Sequence, residues 1–169
     1  MNGIQKDNIS NEQQSDFVEL RDFYIDMISY VERLHRLMID VIKTELENNK
    51  IEEISAVQAL LLCNIGAAEL TAGELKTRGY YLGSNVSYNL KKLVELGYVS
   101  YEKSHIDRRS VRIKLTPLGE DIAILITELY TRHTQGIIDK HIIDVAGIEE
   151  ICLIFKDFER FWGDDIRYK

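Results

Sequence analysis

The sequence predicts a mainly α-helical chain with one small β-hairpin, and three observations carry that expectation. An apolar seam at heptad spacing runs from Phe17 to Val41. Ten glycines and a single proline among 169 residues leave little material for loops and favour helix. Just after Gly97 the apolar period changes from helical to two, as a strand pair requires.

Residues 1–14 are polar and aperiodic and read as a flexible arm. A first helix is expected over 15–47. Its apolar positions, Phe17, Leu20, Tyr24, Met27, Val31, Leu34, Met38 and Val41, advance in alternating steps of three and four. Asp16, Glu19 and Asp22 sit in the first turns, where carboxylates suit the helix dipole. A rod about 45 Å long outruns one small core, so it is expected to serve as a dimerisation helix. Packing against the C-terminal helices of the same chain is the other reading, and both can hold at once.

Asn48-Asn49-Lys50 breaks the pattern, and Ser55 can cap a short apolar helix from Ala56 to Ile65 that ends at Gly66. Thr71-Ala72-Gly73-Glu74 then has the T-x-x-E form of a capping box, opening a short helix through Leu75 to about Arg78. Gly79 to Gly83 form a turn. Ser84 or Gly83 opens a second helix, Asn85 to Leu96, closed by Gly97 in the left-handed stop position. Two strands follow, Tyr98 to Lys103 and Val111 to Leu115, joined by a polar, basic tip from Ser104 to Ser110. Thr116 caps the next helix with Pro117 at its first position, where the missing N–H costs nothing. That helix runs through Ile122, Leu125 and Leu129 towards Ile137. A break near Asp144 to Gly147 precedes a last helix carrying Ile148, Ile151, Phe155, Phe158 and Trp162. The order is a winged helix-turn-helix over 54–116 held between long helices, with 117–163 as C-terminal dimerisation helices.

Taken alone, the net charge of −7 argues against nucleic acid, but its distribution reverses that. Between Leu70 and Lys114 stand nine basic and four acidic residues, a local +5 that leaves −12 for the remainder. A basic module between acidic arms focuses positive potential where phosphates would respond to it. The longest uncharged stretch, Ile54 to Ala68, is 15 residues and contains Ser55, Gln58 and Asn64, short of a membrane span. The N-terminus has no apolar signal core, and Cys63 and Cys152 have no metal or C-x-x-C spacing. A cytoplasmic, reduced chain is therefore expected.

In the helix after Ser84, Val86, Leu90, Leu93 and Val94 share a face that should be buried. Ser84, Asn85, Tyr88, Lys91 and Lys92 gather opposite, with Ser87 and Asn89 on the flanks and no carboxylate before Glu95. A solvated helix face normally mixes Glu with Lys. This face suits a major groove, where Asn can bridge adenine N6 and N7 and Lys can reach phosphate or guanine. His105, Arg108 and Arg109 at the hairpin tip suit a minor groove or the phosphate backbone. Asp107 reads as a splint that fixes an arginine rotamer through a charge-assisted pair. The bland alternatives are a solvated helix face and an incidental ion pair.

The run Asp107-Arg108-Arg109-Ser110 through Leu115-Thr116-Pro117-Leu118-Gly119 resembles the D-x-R…L-T-x-x-G wing signature of the MarR family. Leu93 to Val99 is similar to that family's exit from its recognition helix, and the element order extends the likeness over nearly the whole chain. GSNVSYNLKKLVELGY, residues 83–98, most resembles an LdtR-like branch of alphaproteobacterial regulators linked to a cell-wall L,D-transpeptidase gene. The resemblance implies a homodimer on pseudopalindromic double-stranded DNA, with a small-molecule effector pocket between DNA-binding lobe and dimerisation helices. By position it puts Asn85, Ser87, Tyr88 and Lys92 on the base-reading helix, and Arg108 with Asp107 on the wing. The turn from Thr77 to Ser84, with Tyr80 and Tyr81, is bulkier than the family's usual one.

Other signals are weaker. The two thiols read as small buried hydrophobes rather than redox sensors. His35, His105, His133 and His141 share no metal spacing, and no nucleophile elbow, phosphate loop or H-E-x-x-H motif occurs. Tyr80, Tyr81, Phe155, Phe158 and Trp162 are expected in the core. No metal, cofactor or catalytic activity is expected. The rival from another class is a winged helix that docks onto protein. It would want apolar or aromatic residues at the centre of the outer face, where this sequence has Asn, Tyr and Lys.

Overall fold

The computed structural model describes residues 11–66, 70–71, 74, 83–103 and 111–167. The chain divides into two compact units, 1–60 and 61–169.

In the first unit, helix α1 (Asn11–Asn48) is 38 residues long, about 57 Å. It begins inside the stretch expected to be a flexible arm, because Asn11 to Gln14 contain neither Gly nor Pro to stop it. Its end is a left-handed stop: Lys50 has φ 59°, the Lys50 N–H donates to Glu47 O (3.0 Å), and the Ile51 N–H donates to Leu46 O (2.9 Å). Helix α2 (Ala56–Ile65), inside which the division falls, opens on a reciprocal capping box. The Gln58 N–H donates to Ser55 Oγ (3.3 Å) and the Ser55 N–H donates to Gln58 Oε1 (2.9 Å). That accounts for Gln58, the one buried polar side chain among the described residues. Ile42, Leu46, Ile54, Ala56 and Ala59 are buried in this unit, whereas Phe17, Leu20 and Leu34 of the upstream seam are exposed. A cavity of about 320 Å³ opens where the end of α1 meets the start of α2, lined by Ile39, Leu46, Ile51, Ile54 and Val57. The Lys43–Glu47 ion pair (3.6 Å) belongs to the same lining.

In the second unit a three-stranded antiparallel sheet has the order β1 (Leu70–Thr71), β3 (Val111–Leu115), β2 (Val99–Lys103). The hairpin register runs from Val99↔Leu115 to Lys103↔Val111, and Leu70 pairs with Ile113. The sequence pattern missed β1: two residues show no period, and their pairing is with a segment more than forty positions on. Glu74 is helical, while the other positions expected to form the first helix of the motif and its turn, including Tyr80 and Tyr81, lie outside the described residues.

Helix α3 (Gly83–Glu95) packs on β2, and helix α4 (Pro117–Asp139) packs on β3. Leu90, Leu93, Tyr98, Val99, Ile113, Leu115, Ile122, Ile126 and Leu129 are buried, the core on which the wing is mounted. Helix α5 (Val145–Arg167) starts earlier than expected, because the Asp144 carboxylate accepts from the Gly147 N–H (2.8 Å) and caps it. Its apolar residues are not core. Phe158 and Trp162 are half-buried with ring centroids 5.6 Å apart, and Phe155 is exposed, since the broad apolar stripe of α5 is left open.

Candidate nucleic-acid interface

The outer surface of α3 follows from its burial pattern. Leu90 and Leu93 are at most 1% exposed and fix which side faces the core. Val94 is half-buried at the edge of that side. Ser87, Tyr88, Lys91 and Lys92 are exposed, and Tyr88 stands 70% exposed at mid-helix. Asn89, a flank position in the sequence reading, is half-buried. Of the expected contact residues, then, the described side chains on this helix share one solvent-facing surface. The side chains of Ser84, Asn85 and Val86 lie outside the described residues, as do all of His105, Asp107, Arg108 and Arg109, which the sequence puts between the two strands of the hairpin.

One detail departs from the sequence reading. Lys91 Nζ lies 3.9 Å from Glu95 Oε1 across one helical turn, so the cationic face is not clear of carboxylate influence. Both groups are more than half exposed, and such a pair stabilises little. Lys91 is thus held only weakly by Glu95, and no ion pair of Lys92 is found among the described residues.

The end of α3 is set by a group of backbone hydrogen bonds. Gly97 adopts φ 81°, its N–H donates to Val94 O (3.0 Å), and the Tyr98 N–H donates to Leu93 O (2.9 Å). These are the two bonds of a Schellman stop, with buried Leu93 and Tyr98 at its apolar positions. The chain then leaves through the wing and returns to the same place. The Thr116 N–H donates to Tyr98 O (3.1 Å), and the Thr116 hydroxyl donates to Gly97 O (2.7 Å) while accepting from the Gly119 N–H (3.3 Å). A Cβ at Gly119 would collide with the Tyr98 carbonyl oxygen, so the first turn of α4 sits on the exit of α3 only because residue 119 is glycine. The sequence singled out Thr116 as a helix cap and Gly119 as a motif position. Neither reading foresaw that the pair grips the end of α3, because the partner atoms are backbone carbonyls about twenty residues away.

On the sheet, Lys114 and Tyr101 are exposed, and partial burial pushes the Tyr101 phenol above its ordinary value. Cys63 is half-buried and its thiol is pushed up to about 11 by burial, in line with a small hydrophobe rather than a nucleophile. Cys152, expected to be buried, is instead exposed on α5. Among the described residues no cluster of His, Cys, Asp and Glu could hold a metal ion, and no helix is long and apolar enough to cross a membrane.

Comparison with known proteins gives three findings. The family described as winged helix DNA-binding domain matches residues 54–119. The chain is 32% identical over 145 residues to the exopolysaccharide II synthesis transcriptional activator ExpG of Rhizobium meliloti (strain 1021), spanning 86% of this chain and 74% of that protein. Among solved structures it is similar to Streptococcus pneumoniae FabT in complex with DNA, with TM-score 0.68 and 21% identity over 83% of this chain and 98% of that one. Staphylococcus aureus MarR in complex with salicylate and kanamycin gives TM-score 0.67 and 19% identity over 89% of this chain and 97% of that one. At such identities the likeness of the two structures is one of fold.

Proposed function

We propose that this chain, which belongs to the winged-helix family of DNA-binding transcriptional regulators, works as a cytoplasmic homodimer on a pseudopalindromic operator under the control of a small molecule. Its fold is that of MarR-type regulators, and it is a regulator rather than an enzyme. The observation that carries the proposal is the two-sidedness of α3: Leu90 and Leu93 are buried, while Ser87, Tyr88, Lys91 and Lys92 face solvent. In a dimer two such helices enter successive major grooves about one helical turn apart. Ser84, Asn85, Ser87 and Tyr88 then read base edges, Lys91 and Lys92 meet phosphate, and His105, Arg108 and Arg109, with Asp107 as splint, engage the backbone beside the minor groove.

Pairing is supported by the apolar residues that α1 and α5 leave in water, Phe17, Leu20 and Leu34 on one and Ile154, Phe155 and Phe161 on the other. We assign 15–47 and 117–163 to dimerisation on that ground. Effector control is supported by the cavity at the end of α1 and by the solved complex of S. aureus MarR with salicylate. Such control needs a ligand with unequal affinity for two arrangements of the dimer. The regulated genes belong, on this reading, to cell-wall or stress functions, as the likeness of residues 83–98 to the LdtR-like branch suggests. ExpG, by its name, is a transcriptional activator of exopolysaccharide II synthesis.

Selection of binding sites from random duplex DNA, followed by affinity of the winner against salt, tests this directly. The expected product is a palindrome with half-sites about one turn apart and an affinity that falls steeply with salt. Arg108→Ala should weaken every duplex alike, and Asn85→Ala should relax base preference. No enriched sequence, or an enriched site without repeated halves, would overturn the reading and favour a protein-docking winged helix.

A further inference from the structure

The wing is an excursion from Gly97 to Thr116 that closes on itself, and at its neck the strand pairing is joined by a clasp from one hydroxyl. A threonine hydroxyl has one hydrogen to donate and lone pairs to accept with. Thr116 uses both, donating to Gly97 O at 2.7 Å and accepting from the Gly119 N–H at 3.3 Å. The first bond holds the residue that stops α3, and the second holds the first turn of α4. The Thr116 N–H adds a third tie, to Tyr98 O at 3.1 Å. Beside them residue 119 has no Cβ, which allows the α4 backbone to rest on the Tyr98 carbonyl.

A cap alone does not need this. Asp, Asn and Ser all cap helices as well as Thr or better, and Asp does so purely as an acceptor. What an acceptor-only cap cannot do is donate to Gly97 O. The donated bond is thus the part of the arrangement that serves α3 rather than α4.

We propose that Thr116 is a positioning residue for DNA recognition. Its hydroxyl locks the exit of α3 to the start of α4, and that lock sets which spacing of half-sites the dimer accepts. The inference rests on the dimeric regulator proposed above, in which α4 belongs to the dimerisation region and α3 to the groove. A loose joint between them would let each recognition helix swivel, so that operators with one base pair more or less between half-sites would be bound nearly as well as the best one.

The test measures affinity of the full-length protein for the selected operator and for versions with the spacer changed by one and two base pairs. Wild type and Thr116→Ser should discriminate strongly among spacers. Thr116→Asp keeps the cap and loses the donor, and Thr116→Val loses both. Each should weaken the best operator by about tenfold, as loss of a partnered hydrogen bond would, while changing the other spacers less, so that discrimination flattens. The negative charge of Asp lowers affinity for all spacers alike and leaves their ratio readable. Wild-type spacer discrimination in Thr116→Asp would overturn the positioning role and leave Thr116 a cap. Should Thr116→Val fail to fold, the comparison of Asp with Ser decides alone. If the wild type itself shows no spaced palindrome, the regulator reading falls, and this inference with it.

Discussion

Helix α3 and helix α5 are both amphipathic, yet they stand in opposite relations to their own chain. On α3 the apolar side is covered, with Leu90 and Leu93 sealed, and the polar side is what solvent meets. On α5 the apolar side itself is what solvent meets, Phe155 being 50% and Phe161 63% exposed, and α1 repeats this with Leu20 at 70%. The first helix is finished by intramolecular packing, and its open face is free to carry chemistry. The second and third are unfinished, since uncovered apolar surface on this scale normally marks an interface. Two sequence patterns of similar strength therefore lead to different outcomes, a polar face left to solvent on α3 and, on the pairing proposed above, an apolar face for a second copy of the chain on α5.

The comparison is broken most severely by charging the unfinished surfaces. Leu20→Asp combined with Phe155→Asp touches no buried side chain, so each chain should remain folded by circular dichroism. Light scattering should then give a monomer, and operator affinity should drop by about a hundredfold or more once two half-sites are no longer engaged together. A dimer of wild-type stability would remove α1 and α5 from the interface.

A smaller effect is expected from attacking the finished helix where it is finished. Leu93→Ala opens a cavity beneath the Schellman stop and should lower unfolding free energy by about 2–5 kcal/mol without altering the dimer. Denaturant melts at fixed protein concentration measure it, and a loss below about 1 kcal/mol would mean that α3 is not anchored through this residue.

The smallest perturbation sharpens the same contrast with a thiol reagent. Cys63 has its thiol raised to about 11, so at pH 8 only about one part in a thousand is thiolate, and labelling should wait on unfolding. Cys152 lies open on the apolar surface of α5 and should label readily in the monomeric variant and slowly in the dimer. Equal rates for Cys152 in both would show that the partner does not cover that surface.

Much of this fold is legible in the residues because its elements carry their own punctuation. Ser55 and Gly66 bracket α2, Gly97 stops α3, and Thr116-Pro117 opens α4, and the structure has these at the same positions. Misjudged features depended on atoms distant in sequence or on side-chain reciprocity. Strand β1 exists only through its pairing with β3, and Gln58 completes the Ser55 box from inside the helix. The stops of α1 and α4 use Lys50 and His141 at positive φ, where composition would look for glycine. At the candidate site the polar outer face of α3 could be read from helical periodicity. The Lys91–Glu95 contact and the grip of Thr116 on Gly97 could not, being matters of rotamer and of tertiary approach.

That grip also separates two design problems. Both arms of the hairpin have five residues in register, and the ring they form is shut at its base by Thr116. Residues added to or removed from the tip change the length of a loop whose ends are already fixed, and doubling such a loop costs only about 0.6 kcal/mol. Tip length can thus drift in evolution, or be varied by an engineer, while the joint between α3 and α4 stays as it is.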